Sequence, residues 1–438
     1  MTILESMTHK QSSSLHKGGA EGRVRKTPAV YILFALALLG LLAFFCWKYV
    51  SGQKVSASSL PLVKIDIPKD APPVVRDVWT EDCHLRIYND DGWSIYSSTD
   101  SKLEGRGHST SDKPKKPYNI KLDKPESLFG LPARDRWVLL AGFFDHSLMR
   151  NALGQEIARQ TSLAPTTPQG RFVRVSVNPS PSGEQEEPSL YYLSERVLDM
   201  VDEDTLLLEF DAYALTEDAY TFRTQKGLPV SVRRPKKVPR PLFEAVQELV
   251  NKAEANPAAH VDFDTFADYY LVQELCQNGE LNGPRSCFMH MLPDGRMAAG
   301  PVWDFDLAFI PVGVDQGNDL RPLRKAGMPG VRLLTADSLY NARSLWYDRL
   351  LQDSAFVAHL QSRWQQLKPR FEGLTAYIDS IDSLIRPAAI LDQQRWNPLE
   401  PARFDTCTTY PSAFETLKTT YQTRLVKLDS LVNALEKK

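Results

Sequence analysis

The stretch from Asn278 to Ile310 limits the fold more than any other, because acidic residues interrupt sequence that is otherwise apolar and aromatic. It reads Asn-Gly-Glu-Leu-Asn-Gly-Pro-Arg-Ser, Cys-Phe-Met-His-Met-Leu, Pro-Asp-Gly, then Arg-Met-Ala-Ala-Gly-Pro-Val-Trp-Asp-Phe-Asp-Leu-Ala-Phe-Ile. The Pro293-Asp294-Gly295 turn between two apolar runs predicts a β-hairpin. Glu280 precedes that hairpin, and Asp304 and Asp306 follow it, so closing it returns acids distant in sequence to one neighbourhood. An unpaired charge in such surroundings is expensive. Carboxylates converging at a strand end suit a hard divalent cation that also holds phosphate oxygens. For any one of them, capping a turn or pairing with an arginine is the competing reading.

The rest of the chain frames this stretch. Residues 1–28 are polar and basic, a disordered cytoplasmic tail by composition. Ala29 to Trp47 carries no charge, and about 20 apolar residues span a bilayer. The basic flank before it predicts a single-pass anchor with the C-terminal domain exported, periplasmic or extracellular. A cleaved signal peptide ending near Val55-Ser56-Ala57 is the alternative. Residues 48–78 read as a Ser/Pro-rich tether, with Pro61, Pro68, Pro72 and Pro73 against regular structure. Residues 79–228 are rich in strand patterns, including His84–Tyr88, Trp137–Ala141, Arg171–Asn178 and Leu190–Val197. Residues 229–241 read as a basic, Pro-rich connector, and 242–438 as a helix-rich region containing the key hairpin. Helices are expected from Leu242, from Asp264 to Gln277, over Ser344–Leu350, Ala355–Lys368 and Gly373–Leu384, and from Ser412 onward.

Between the first strands lies Glu104-Gly-Arg-Gly-His-Ser-Thr-Ser, followed by Lys115-Lys-Pro-Tyr-Asn-Ile-Lys-Leu-Asp. Gly107 and Ser109 belong to a loop whose backbone amides suit phosphate oxygens. On the next strand Ile120 and Leu122 face one side and Lys121 the other, where a lysine beside a glycine-rich loop suits nucleotide phosphates. A solvated lysine on an edge strand is the competing reading. Asp145 is expected to cap a helix running through Leu148–Arg159.

These motifs resemble the spore-coat-protein-H (CotH) kinase family, a divergent branch of the protein-kinase-like fold. The resemblance rests on Asn278-Gly-Glu-Leu, Pro284-Arg-Ser and Gly300-Pro-Val-Trp-Asp-Phe-Asp-Leu-Ala-Phe, with support from the Gly107-to-Lys121 run, and spans roughly Glu104 to Phe309. It implies a two-lobed α+β atypical kinase domain, here behind the single N-terminal transmembrane helix. The implied cofactors are ATP or another nucleoside triphosphate and Mg²⁺ or Mn²⁺, and the implied acceptor is a Ser/Thr-type hydroxyl on an envelope or coat protein. By the same resemblance Asp304 holds the metal with Asp306 and Ser286, and Glu280 orients the acceptor. Lys121 holds phosphates and pairs with Glu156, and backbone near Glu195 to Val197 approaches the base. Glu280 stands where many members carry aspartate, and Ser286 where many carry asparagine. Those departures keep a second reading open, a non-catalytic pseudokinase or assembly scaffold on the same fold.

Other classes fit worse. A net charge of −2 gives no basic field for nucleic acid. The eight histidines are scattered, against a His-rich metallohydrolase. No Gly-x-Ser-x-Gly elbow is present. Cys276 and Cys287, with no paired metal spacing, read as core thiols.

Overall fold

Period-two alternation builds the first half of the folded chain. Residues 59–179, 187–310, 338–396 and 407–436 are described by a computed structural model, and all belong to the unit Val55–Lys438. Strands β1 (Leu62–Asp66), β2 (Thr80–Tyr88), β3 (Ser94–Gly105), β4 (Tyr118–Glu126), β5 (Arg134–Leu140), β6 (Gly170–Asn178) and β7 (Ser189–Glu195) form a closed barrel in the order β1-β2-β3-β4-β5-β7-β6. The closing pair, β1 with β6, is parallel. Alternate residues fill the interior, among them Ile65, Leu85, Ile87, Ile120, Leu122, Trp137, Leu139, Val173 and Leu193.

β5 is buried on both faces, which explains its unbroken apolar run. Trp137 and Leu139 point into the barrel, while Val138 and Leu140 join a second core. Helix α1 (Arg150–Arg159) packs into that second core through Ala152, Leu153, Ile157 and Ala158. A five-stranded sheet adjoins it, ordered β12-β11-β8-β10-β9. Its strands are β8 (Leu207–Phe210), β9 (Thr221–Arg223), β10 (Pro229–Arg234), β11 (Cys287–Met291) and β12 (Met297–Ala299). The β11–β12 pair is the hairpin expected around Pro293-Asp294-Gly295, with Met289 opposite Ala299. Gly295 sits at φ +83°, a conformation that needs glycine.

The remaining helices are α2 (Ala214–Glu217), α3 (Arg240–Ala255), α4 (Phe263–Leu275), α5 (Tyr347–Leu350), α6 (Ser354–Trp396) and α7 (Tyr410–Asn433). Along α6, Phe356, Leu360, Trp364, Leu367, Phe371, Leu374, Ile378, Ile381 and Ile385 recur three or four apart and are buried. Each such side chain stabilises the packed state by about 1.5–3 kcal/mol. That exceeds in sum the roughly 3 kcal/mol cost of an internal proline, so α6 continues through Pro369 and Pro387. The sequence had suggested two separate helices there.

Other expectations change as well. The tether contains a strand, since Leu62–Asp66 lies between Pro61 and Pro68 and pairs on both sides. The connector begins as strand β10, and α3 starts at Arg240. The helix expected from Asp264 to Gln277 runs as α4 from Phe263 to Leu275, capped by Asp262, whose carboxylate accepts from Thr265 N at 3.1 Å. The expected single transmembrane helix also requires correction. Among the described residues no helix is long and apolar enough to cross a membrane, and 29–47 lies outside the described residues. That expectation rested on one apolar run and its charged flank, to which no described element corresponds. The single-pass anchor and the exported location inferred from it are therefore unsupported, and the fold stands as a mixed α/β arrangement of barrel, second sheet and helices.

Candidate functional site

A cavity of about 850 Å³ is lined by residues of the barrel, the second sheet and the loop after β12. That loop carries Asp304-Phe305-Asp306. Asp304 sits at φ +60°, in the left-handed region that a non-glycine residue occupies only when its surroundings hold it there. Four contacts do so. Asn278 Nδ2 donates to Asp304 O at 3.1 Å, and Phe305 N donates to Asn151 Oδ1 at 3.0 Å. Asn151 Nδ2 donates to Asp306 Oδ1, and Arg150 Nη1 donates to Asp306 O at 3.0 Å.

Asp145 holds Arg150 in turn. It pairs with the guanidinium at 3.3 Å and accepts from Arg150 N at 2.8 Å and Ser147 N at 2.9 Å. Its capping role is thus exercised from upstream, because α1 begins only at Arg150, after Met149. The Phe305 ring lies against α1 at Gly154, where any side chain would collide with it.

Glu280 occupies a tight turn, Gly279–Asn282, opened by Asn278, whose Oδ1 accepts from Glu280 N at 3.3 Å. Its carboxylate pairs with Arg285 at 2.8 Å. Burial pushes Glu280 up to about 8 although Arg285 opposes the shift, and Asp304, Asp211 and Asp306 add like charge. Burial, then the charges of Asp304 and Asp145, push Asp306 up to about 7. On β8, burial pushes Glu209 up to about 8 despite its 3.2 Å pair with Arg233. Asp211 is raised by burial too, while it accepts from Tyr213 N at 2.7 Å and Ser286 N at 3.0 Å. The second of these bonds holds Ser286 at φ +51°.

The glycine-bearing loop between β3 and β4 forms another wall. Gly107 adopts φ +86°, and a side chain there would also meet Thr110. His108 stacks on Tyr213 with ring centroids 4.4 Å apart. The Arg106 guanidinium lies 5.4 Å from the centroid of Trp303. Burial lowers Arg106, and the charges of Asp304 and Asp306 counter that. The loop is thereby fastened toward the carboxylates.

Gly107, Ser109, Glu280, Ser286, Asp304 and Asp306 all line the cavity, whereas Lys121 and Glu156 do not. Glu156 pairs with Arg159 at 2.9 Å and accepts from Gln160 at 2.6 Å, so the expected pair with Lys121 is absent. Lys121 shares its face of β4 with Asn119, which does line the cavity, but stands across from Lys102 and Arg136. Alternation identified the correct face, yet Lys121 lies two residues further along β4 than Asn119, past the part of the strand that lines the cavity.

Several cavity residues went unrecognised in the sequence. Arg106 lies between the two glycines of the loop motif and Arg285 within Pro-Arg-Ser, so both were adjacent to recognised signals. Glu209 and Asp211 sit in Leu-Leu-Glu-Phe-Asp, acids within apolar sequence like Asp304 and Asp306. Asn151 belongs to the Arg150-Asn151 pattern that resembles the family, and Arg196 to the Glu195-to-Val197 stretch expected near the base, whereas Arg136 carried no comparable signal.

Among the described residues, no group of three or more His, Cys, Asp or Glu closes around a metal ion by itself. Mg²⁺ does not require such a cage, since one or two carboxylates with substrate phosphates and water suffice. Asp304 and Asp306, with the Ser286 hydroxyl, offer that oxygen-only donor set. Asp306 is raised first by burial and then by the charge of Asp304, and a cation between the two would relieve the second of these. In comparison with known families, residues 103–428, most of the chain, match a family model described as CotH kinase protein. No curated protein matches the chain.

Proposed function

Because the chain belongs to the CotH kinase family, we propose that it binds a nucleoside triphosphate with Mg²⁺ or Mn²⁺ and transfers the terminal phosphoryl group to a Ser/Thr-type hydroxyl on a protein. The observation that carries this reading is that one cavity combines the glycine loop with Glu280, Asp304 and Asp306. When bound, the metal supplies neutralisation of phosphate charge, with Asp304 and Asp306 as its protein ligands. Asn151 and Asn278 keep those aspartates in place, which matters because this chemistry depends mostly on positioning and electrostatics.

Arg106 is suited to hold phosphate oxygens, the role first expected of Lys121, and Gly107 and Ser109 offer close backbone and hydroxyl donors. Glu280, braced by Asn278 and Arg285, orients the acceptor hydroxyl and takes its proton. The acceptor oxygen forms its bond to the terminal phosphorus while the bond from that phosphorus to the bridging oxygen breaks, leaving the nucleoside diphosphate.

Titration calorimetry of ATP with and without Mg²⁺, on the wild type and Asp304→Asn, tests the metal site. Metal-dependent affinity should fall at least about 10-fold with the melting temperature retained. Wild-type affinity in that variant would overturn the assignment. Glu280→Gln should keep MgATP binding and lower turnover by about 10²–10⁴. If it changes nothing that Asp304→Asn removes, the cavity serves a non-catalytic binding scaffold.

A further inference from the structure

Two arginines on the barrel wall are left unused by that reading. Trp137 pairs with Glu195 between β5 and β7, which sets Arg136 beside Arg196, and both line the cavity. Arg136 also stands opposite Lys121, and Lys121 opposite Lys102. Cations therefore run in a row across neighbouring strands, and like charges directly opposite one another are destabilising.

Lys102 is relieved by Glu81. Of the other cavity arginines, Arg76 pairs with Asp77, Arg233 with Glu209 and Asp218, and Arg285 with Glu280. Arg136 and Arg196 make no ion pair and no side-chain hydrogen bond among the described residues. The carboxylate nearest in effect to Arg196, Asp199, is taken by Arg234 at 2.8 Å. Burial lowers Arg196, and the adjacent charges of Arg136, Arg234 and Arg233 lower it further against Asp199.

We propose that Arg136 and Arg196 form a second anion subsite of the cavity, one that takes a phosphate group directly, without a divalent cation. This rests on reading the cavity as a nucleotide site and specifies how its barrel wall contributes. Paired guanidinium forks match phosphate oxygens in geometry, and a terminal phosphate carries about two negative charges near neutral pH. Without a metal the loop that carries Asp304 and Asp306 offers bare phosphate no cation, so when metal is chelated the arginine wall is where it binds.

The test is calorimetric titration of pyrophosphate into the full chain in EDTA, for the wild type, Arg136→Gln and Arg196→Gln, with adenosine as a second titrant. Each substitution should weaken pyrophosphate about 10- to 100-fold and leave adenosine unchanged. Both variants should melt at or above the wild-type temperature, since each removes a like-charge contact; this separates loss of binding from loss of fold. Absence of pyrophosphate binding by the wild type in EDTA overturns the subsite, as does undiminished binding by both variants. Weakening of adenosine alone also overturns it, because the arginines would then be reading the base. Failure of the nucleotide reading is seen separately, as MgATP affinity that survives Asp304→Asn.

Discussion

Replacing Gly154 with alanine puts a methyl group where the ring of Phe305 now sits. An ideal Cβ at position 154 falls within 2.6 Å of three ring carbons, whereas carbon atoms in contact prefer about 3.5–4.0 Å. The ring must therefore retreat by roughly 1 Å. It has no free direction, because Phe305 is 0% exposed and its neighbours Asp304 and Asp306 are tied to Asn278, Asn151 and Arg150. Two effects oppose each other. Gly→Ala in a helix interior stabilises by about 1 kcal/mol, while over-packing a tight core costs about 1–3 kcal/mol. The net expectation from these is a loss of about 0–2 kcal/mol in urea unfolding. The larger effect falls on the site, since displacing the aspartates by ~1 Å should cost on the order of 100-fold in turnover. MgATP calorimetry and a phosphoryl-transfer assay on the same preparation separate the two. A variant about 1 kcal/mol more stable than wild type, with unchanged affinity and rate, would refute the claim that Phe305 transmits packing on α1 to the carboxylates.

Two further perturbations test the frame around the site. Arg424 and Glu274 form a 2.6 Å pair with side chains 1% and 0% exposed, and Glu274 also accepts from Tyr340 N and Asn341 N. Arg424→Met should cost about 3–5 kcal/mol by stranding a buried carboxylate, and adding Glu274→Gln should recover part of that; a single variant within 1 kcal/mol of wild type in urea would contradict this. His290 is buried, donates from Nδ1 to Gly300 O at 3.0 Å, and is lowered by burial. Its unfolded form binds a proton more readily, so its contribution is complete above about pH 6.5 and is lost as pH falls toward its lower folded value. The cleft carboxylates, held above their ordinary range, give the opposite slope in both proteins, so the difference between wild-type and His290→Asn melting curves reads the histidine; a difference independent of pH from about 7 to 5 would exclude it.

Several of the barrel's strands were legible, though not their closure into a barrel, because they alternate over enough residues to show a period, as in His84–Tyr88 and Arg171–Asn178. Of the second sheet the β11–β12 hairpin was legible from its turn, but β8 has 4 residues and β9 has 3, too few for a period to emerge. β10 was masked by Pro229 at its start and Arg233-Arg234 at its end, although proline is tolerated at a strand's first position. At the site, Glu280, Asp304 and Asp306 were legible because charge in apolar sequence needs a reason. Lys121 was misplaced because alternation assigns a side chain to a face but says nothing about how far along the strand the cavity reaches. Gly154 shows the same limit: a glycine inside a helix suggests close packing only once Phe305 is known to lie against it.

Some of the cavity's opposed charges relieve one another, as Arg233 does with Glu209 and Arg285 with Glu280, yet Arg136 and Arg196 are left without an ion pair among the described residues. Glu209, Glu280 and Asp306 are held above the ordinary carboxylate range, and Arg196 and Arg106 below theirs. In each case burial leads, and like charge adds to it for the carboxylates and for both arginines. The register of β5 with β7 fixes Arg136 and Arg196 on the barrel, while contacts from Asn151 and Asn278 fix the aspartates on the loop after β12. Of the cavity arginines, Arg106 interacts with both groups, feeling Asp304 and Asp306 as well as Arg196. Ion pairing within the chain therefore cannot satisfy both walls without breaking a strand register or releasing the strained Asp304 backbone. A ligand that brings a divalent cation to the carboxylates and phosphate oxygens to the arginines satisfies both at once. Such a ligand at 100 times its Kd should also add about 2.7 kcal/mol to the stability of the folded chain.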